Sequence, residues 1–314
     1  MDTTIKNFGW IPPDVRTPDQ AAAHEAAVLA MPEFRIIGSA PKVERIILTD
    51  VTKTLNGGQD LLTFFQMTGS CVGQGLGQML RTLNAIEIVV NGERQKPILP
   101  FWLLPYGKSR ERAGLFGPGE GSLGAPASQA AKEDGFLDAA DSDLPQPFEA
   151  NDGLTWGEQA EMKWSDGRAI SQAFLERSRK HLIKTVSRAR SAADVRDALI
   201  NGYPLTCASD AGFEMRPSVQ DGVLLNRRVT TWHHQMSIHG WMNHSRFGPL
   251  YYILNSWGKK VHGVCPTGAQ PGGFWITEND MEYIVRQGET FAFSQFDGFP
   301  AQDIERALFR VVGG

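Results

Sequence analysis

Apolar residues between 71 and 90 recur near a helical period, with Leu76, Leu80, Leu83 and Ile86 or Ile88 on one stripe and Asn91-Gly92 as a stop signal. The pattern predicts one long amphipathic helix with Cys71 at its N-terminus. Gly73, Gly75 and Gly77 occupy its first turns, where each costs about 1 kcal/mol against Ala, so a close backbone approach is expected there. Upstream, Thr17-Pro18-Asp19-Gln20 has the form of a capping box with Pro in the first helical position, and the Ala-rich run that follows predicts a shorter helix. Residues 43–51, with Ile46-Ile47-Leu48 at their centre, predict a strand before the Asn56-Gly57-Gly58 turn. A short helix is expected over 128–135 and an irregular surface excursion over 138–168, where Asp, Pro and Gly cluster. A charged amphipathic helix is expected over 169–189, followed by one that Ser191 caps and Asn201-Gly202 ends. Beyond Pro204 the pattern changes to alternating or short apolar runs, which predict strands over 205–208, 222–229, 234–242, 250–255, 273–276 and 290–294.

Helices first and strands later imply an α+β protein with unlike lobes. The chain divides into an N-terminal extension, 1–45, and a main domain, 46–314, whose helical lobe lies mainly in 60–190, its β-rich lobe in 200–295 and its tail in 296–314. With 314 residues and 41% hydrophobic content, a sizeable core can form. Charged residues make up 21% and the formal net charge is -4, which gives no electrostatic case for nucleic acid or a membrane surface. No segment approaches the roughly 18 uncharged apolar residues of a membrane span, and the first ten residues lack an export-signal run. The expectation is a cytoplasmic chain or part of an assembly. The three cysteines, Cys71, Cys207 and Cys265, leave at least one free thiol in any intrachain arrangement.

A thiol gains nucleophilicity at a helix N-terminus beside an imidazole, and Cys71 meets the first condition. Towards the C-terminus, His234 opens a strand-like run through Gly240-Trp241, and a second run, Tyr252-Ile253-Leu254, ends in Asn255-Ser256-Trp257-Gly258. These motifs resemble the catalytic half of the papain-like cysteine peptidases. Gly69-Ser70-Cys71 is similar to that family's nucleophile motif, Glu120-Gly121-Ser122 to its Gly-rich substrate-binding strand, and Gly273-Phe274-Trp275-Ile276 to its late strand. The order Cys, His, Asn agrees, although the separations exceed the ~130–150 residues typical of the family.

The resemblance implies a two-lobe papain-like fold, with Cys71 on the helical lobe, His234 and Asn255 on a barrel-like β lobe, and a cleft between. It implies peptide-bond hydrolysis of a polypeptide substrate without a cofactor or metal. Cys71 and His234 form a thiolate–imidazolium pair, Asn255 orients the imidazole, Trp257 covers that bond, and Gly121 contacts substrate. The Cys71 thiol is then expected well below the ~8.5 of a free cysteine. The oxyanion donors are the Cys71 N–H and an upstream Gln side chain. The family places that Gln six residues before the Cys, where this chain has Phe65. Gln66 stands five before it, with Gln59 and Gln74 as alternatives. Two other readings follow from this departure: a weak or inactive papain-like module with a structural or interaction role, for example in a phage particle, and another Cys-dependent amide hydrolase or acyl transferase. The extension, 1–45, is expected to cover the cleft or contact a protein partner. His233, His239, His244 and His262 crowd the same stretch with Cys265, but no Cys-x-x-Cys is present and adjacent strand residues face opposite ways, which argues against zinc and leaves His233 as the fallback base.

Overall fold

The computed structural model describes residues 8–39, 41–92 and 97–312. The first seven residues of the expected extension and the last two of the expected tail lie outside them. Helix α1, Pro18–Leu29, is closed by both halves of the predicted box: Gln20 N–H donates to Thr17 Oγ1 at 3.3 Å and Thr17 N–H to Gln20 Oε1 at 3.0 Å. Strand β1, Arg45–Ile47, runs directly into helix α2, Thr49–Leu55, so the end of the strand expected over 43–51 is helical. The Leu48 N–H donates to His239 O at 2.7 Å, and Thr52 then bonds back to Thr49 O, which turns the chain.

Helix α3, Cys71–Asn91, has the predicted extent and ends at Gly92 with a left-handed φ of 71°. Its early glycines allow the approach their cost implied. A Cβ at Gly73 would stand 2.5 Å from the Trp102 ring, one at Gly77 2.7 Å from it, and one at Gly75 3.2 Å from Met236 O. Two further helices, α4 (Leu103–Arg112) and α5 (Gly124–Glu133), pack on this side. The second begins four residues before the expected 128 because Glu289 Oε2 accepts the Gly124 N–H at 2.7 Å and supplies the N-terminal anchor. The supposed excursion over 138–168 holds a two-stranded hairpin, Phe148–Ala150 with Gly153–Thr155, and helix α6, Glu158–Trp164. The helix expected over 169–189 is replaced by a short one, Gln172–Ser178, and by strand β2, Thr185–Arg188, which completes a sheet edge; β-branched Thr185 and Val186 suit that place.

The remaining strands are β3 (Leu205–Phe213), β4 (Ser218–Gln220), β5 (Val223–Leu225), β6 (Arg228–His244), β7 (Gly248–Leu254), β8 (Gly273–Thr277) and β9 (Thr290–Ser294). Their order is β2-β9-β3-β6-β7-β8-β5-β4, with β1 added beside β6. The end strands β2 and β4 do not pair with each other, so the β-rich part is an open nine-stranded sheet and not a closed barrel. One hydrophobic core lines this sheet and includes Tyr252, Phe274 and Trp275. A second surrounds the first half of α3 and includes Trp102, Tyr106 and Trp156. Cys71 belongs to the second core and Trp257 to the first, which puts the residues of interest where the two cores meet.

Candidate active site

Cys71 is the first residue of α3, where free backbone N–H groups and the helix dipole favour negative charge on the sulfur. The loop that delivers it rests on one carboxylate. Glu161, on α6 and only 1% exposed, accepts the Ser70 hydroxyl at 2.8 Å, the Thr68 hydroxyl at 2.6 Å and the Thr68 N–H at 3.0 Å. It also accepts the Met67 N–H at 3.2 Å and Gln74 Nε2 at 3.3 Å. Burial pushes the Glu161 carboxyl up, opposed by the hydrogen bonds from Thr68 and Ser70. Sequence reasoning missed this residue, because a single Glu in a segment read as irregular carries no motif.

His234 lies on β6 immediately after a register shift against β3. Its Nε2 is 2.8 Å from Asn255 Oδ1, just past the end of β7. That oxygen only accepts, so Nε2 carries the proton and Nδ1 presents its lone pair. Among the described residues Nδ1 has no hydrogen-bond partner. Asn255 is itself fixed: Oδ1 also accepts the Ser256 N–H at 2.7 Å, and Nδ2 is 2.9 Å from His262 Nε2, whose other ring nitrogen bonds Met215 O at 3.1 Å. His262, in sequence one of a crowd of histidines, thus holds the amide that holds His234. Trp257 stacks on the His234 ring with centroids 4.9 Å apart. His239 is buried and bonded to Ser237 Oγ, while His233 faces Trp10.

Of the three glutamines, the fold brings Gln66 to the Asn255 motif. Its Oε1 accepts the Ser256 hydroxyl at 2.6 Å, its N–H donates to Ser256 O at 2.9 Å, and its Nε2 donates to Thr68 O at 3.1 Å. Gln59 is exposed and Gln74 faces Glu161. Gly121 bonds through its N–H to Gly69 O at 2.9 Å. No group of three or more His, Cys, Asp or Glu side chains among the described residues is arranged to hold a metal.

The cleft is occupied by the chain's own N-terminal segment. Gly9 N–H points at Cys71 Sγ from 3.3 Å, and Phe8 packs edge-on to His234 and Trp257 at 5.8 and 5.9 Å. The Ser122 N–H donates to Gly9 O at 2.8 Å, the Ile11 N–H to Ser122 O at 3.1 Å, and the Trp10 N–H to His233 O at 3.1 Å. Further along, Arg16 pairs with the buried Glu289, and His24 Nε2 stands 3.1 Å from the same carboxylate. Under this cover burial pushes the Cys71 thiol up to about 11, against backbone hydrogen bonds from Gln235 and Gly9. Burial likewise pulls His234 down to about 4 despite its bond to Asn255. In this covered state burial thus favours an uncharged thiol and a neutral imidazole, opposite to the low thiol pKa expected from sequence.

The architecture is that of the papain-like cysteine proteases. Xylellain, a cysteine protease from Xylella fastidiosa, superposes with a TM-score of 0.58 at 15% identity, over 92% of this chain and 96% of that one. Procathepsin B S9 from Trypanosoma congolense gives 0.55 at 11% identity, over 92% and 85%. Bromelain from Ananas comosus, solved with the E64 inhibitor, gives 0.52 at 13% identity, over 81% and 100%. The chain matches no protein-family model and no curated protein sequence.

Proposed function

We propose that this chain is a cysteine peptidase whose N-terminal arm, within residues 1–45, covers the cleft and keeps it latent. The observation that carries the reading is the Asn255-held, Trp257-stacked His234 at 2.8 Å, followed in the chain by Gln235, whose N–H lies 3.4 Å from the sulfur of Cys71 at the start of a buried helix. With the arm displaced and water admitted, the desolvation that holds both groups neutral is relieved. His234 Nδ1 then takes the Cys71 proton, the helix N-terminus steadies the thiolate, and the sulfur attacks a peptide carbonyl. The Cys71 N–H would serve the oxyanion, joined by Gln66 Nε2 once it leaves Thr68 O; the imidazolium protonates the leaving amine, and water clears the acyl-enzyme. A polypeptide strand would lie along Gly121 and Ser122, the second of which now binds the arm through its N–H and carbonyl. The full burial of Cys71 favours a second reading, a papain-like module that uses the fold for interaction alone.

The two are separated by E64, the inhibitor present in the bromelain structure. At neutral pH it should label Arg16→Ala/His24→Ala, in which the arm has lost its anchor, at one site, as read by intact mass. Labelling should vanish when Cys71→Ala is added, fall at least tenfold with His234→Ala, and be slower in the wild-type chain. Equal rates with and without His234 would leave the interaction module.

A further inference from the structure

We propose that the cavity between α2, α3 and residues 97–99 is a second ligand site, specific for a carboxylate carried on an apolar body. The cavity measures about 680 Å³, and its lining includes Leu55, Leu61, Leu62, Ile98, Leu99 and Arg81. Arg81 lies ten residues along α3 from Cys71, about 15 Å at 1.5 Å per residue, so this site is separate from the cleft. The residue is 4% exposed. Nη1 donates to Leu62 O at 2.9 Å and Cζ stands 4.9 Å from the Phe64 ring centroid. Among the described residues Nε and Nη2 meet no acceptor and no carboxylate pairs with the guanidinium. The one acid on the lining, Asp60, is 3.2 Å from Lys53.

An Arg side chain stays charged at neutral pH, and a charge taken out of water without a counterion is costly. Burial pulls Arg81 down to about 10, with no acid among the described residues opposing it. A ligand carboxylate supplies the missing charge and matches the planar fork with two parallel N–H···O bonds. Leucine and isoleucine walls around a few polar groups are the usual form of a site for a mostly apolar small molecule, and here Lys53 already neutralises Asp60.

Calorimetric titration of the full-length protein with octanoate, octanol, octylammonium and octyl phosphate tests the assignment. Octanoate should bind one per chain, at least tenfold tighter than octanol or octylammonium and tighter than octyl phosphate. Arg81→Met should weaken octanoate at least tenfold and leave octanol unchanged, while Ile98→Trp, which fills the cavity with Arg81 intact, should weaken both. Equal affinity for octanoate and octanol in the wild-type chain would overturn the site without any variant. Unchanged octanoate affinity in a folded Arg81→Met protein would do the same, and preference for octyl phosphate would overturn the carboxylate.

Discussion

Replacing Glu161 should loosen the loop that carries the nucleophile, and the size of the effect follows from what the carboxylate holds. In Glu161→Gln, the new amide oxygen can occupy the place of Oε2 and keep the Thr68 N–H, the Thr68 hydroxyl and the Ser70 hydroxyl. Each of these bonds becomes neutral instead of charge-assisted, at about 1 kcal/mol apiece. The amide NH₂ then confronts the Met67 N–H and Gln74 Nε2. Gln74 Oε1, which has no partner among the described residues, can rotate to accept and so replaces the bond that Gln74 Nε2 loses. The net loss is about 3 kcal/mol, from the three weakened bonds. Glu161→Ala leaves at least four buried donors unanswered, so its cost should exceed about 4 kcal/mol. Urea unfolding followed by circular dichroism gives these differences, and at roughly 2–4 °C per kcal/mol the Gln variant should melt about 6–12 °C lower. In the arm-released background, E64 labelling of Cys71 should slow in both. Stabilities within about 0.5 kcal/mol of the wild type for both variants would refute the account, because no arrangement of five lost or weakened bonds to a buried carboxylate is that cheap.

The arm's anchor should respond to acid. Burial pushes the Glu289 carboxyl up, but His24 and Arg16 outweigh it and leave the group below its ordinary 4.5. A depressed folded pKa gives stability that is complete above about 4.5 and is lost as the pH falls through the folded value. Hydrogen-exchange protection over residues 8–30 should therefore drop below pH about 4.5, and Glu289→Gln should lack that protection at neutral pH; a flat profile would count against the anchor. Asn255→Ala removes the partner of both His234 and His262, and in the arm-released background should slow E64 labelling about tenfold. An unchanged rate would mean that His234 is oriented by its stack on Trp257 alone.

What the sequence disclosed about the site was the part whose chemistry dictates residue type. The proposed chemistry calls for a thiol, an imidazole and an amide at 71, 234 and 255, so these positions stand out beside their Gly and Trp neighbours, and the fold puts His234 in contact with Asn255 and Trp257. The long helix was legible because it is buried nearly all round and its stop residue, Gly92, has the left-handed φ that such a stop requires. Glu161 was not legible, since its importance lies in five donors from residues nearly a hundred positions away. Gln66 could be chosen over Gln59 and Gln74 only once Phe65 was seen to bridge Trp257, which brings the next side chain to Ser256. The error over 169–189 came from trusting charge periodicity, where a free sheet edge beside β9 decided the conformation. The capping box announced α1, but the path of residues 8–11 is set by backbone hydrogen bonds, to which side-chain patterns are silent.

Under the proposed function, that path bears on how the arm could lie on Cys71 without being cut. Gly9 meets Cys71 Sγ through its N–H, a donor and not an electrophile. Its carbonyl oxygen is directed instead to the Ser122 N–H, and the Trp10–Ser122 bridge is parallel, which fixes the direction in which the arm crosses the site. Attack needs a carbonyl carbon within about 3–3.5 Å of the sulfur and an oxygen aimed at the oxyanion donors, whereas Gly9 turns its N–H to the sulfur and its oxygen to Ser122. The closeness of the cover depends on glycine, since any side chain at Gly9 would run into the Gly69 carbonyl. Phe8 then closes the ring wall over His234, and the restraint on this short stretch comes from Arg16 and His24 on Glu289, a carboxylate that also anchors the start of α5. Binding and restraint are thus separated along the arm. Neutralising that one buried carboxylate should loosen the cover, whose remaining hold is the backbone bonds of residues 9–11 to Ser122 and His233, without altering the side chains at 71, 234 and 255.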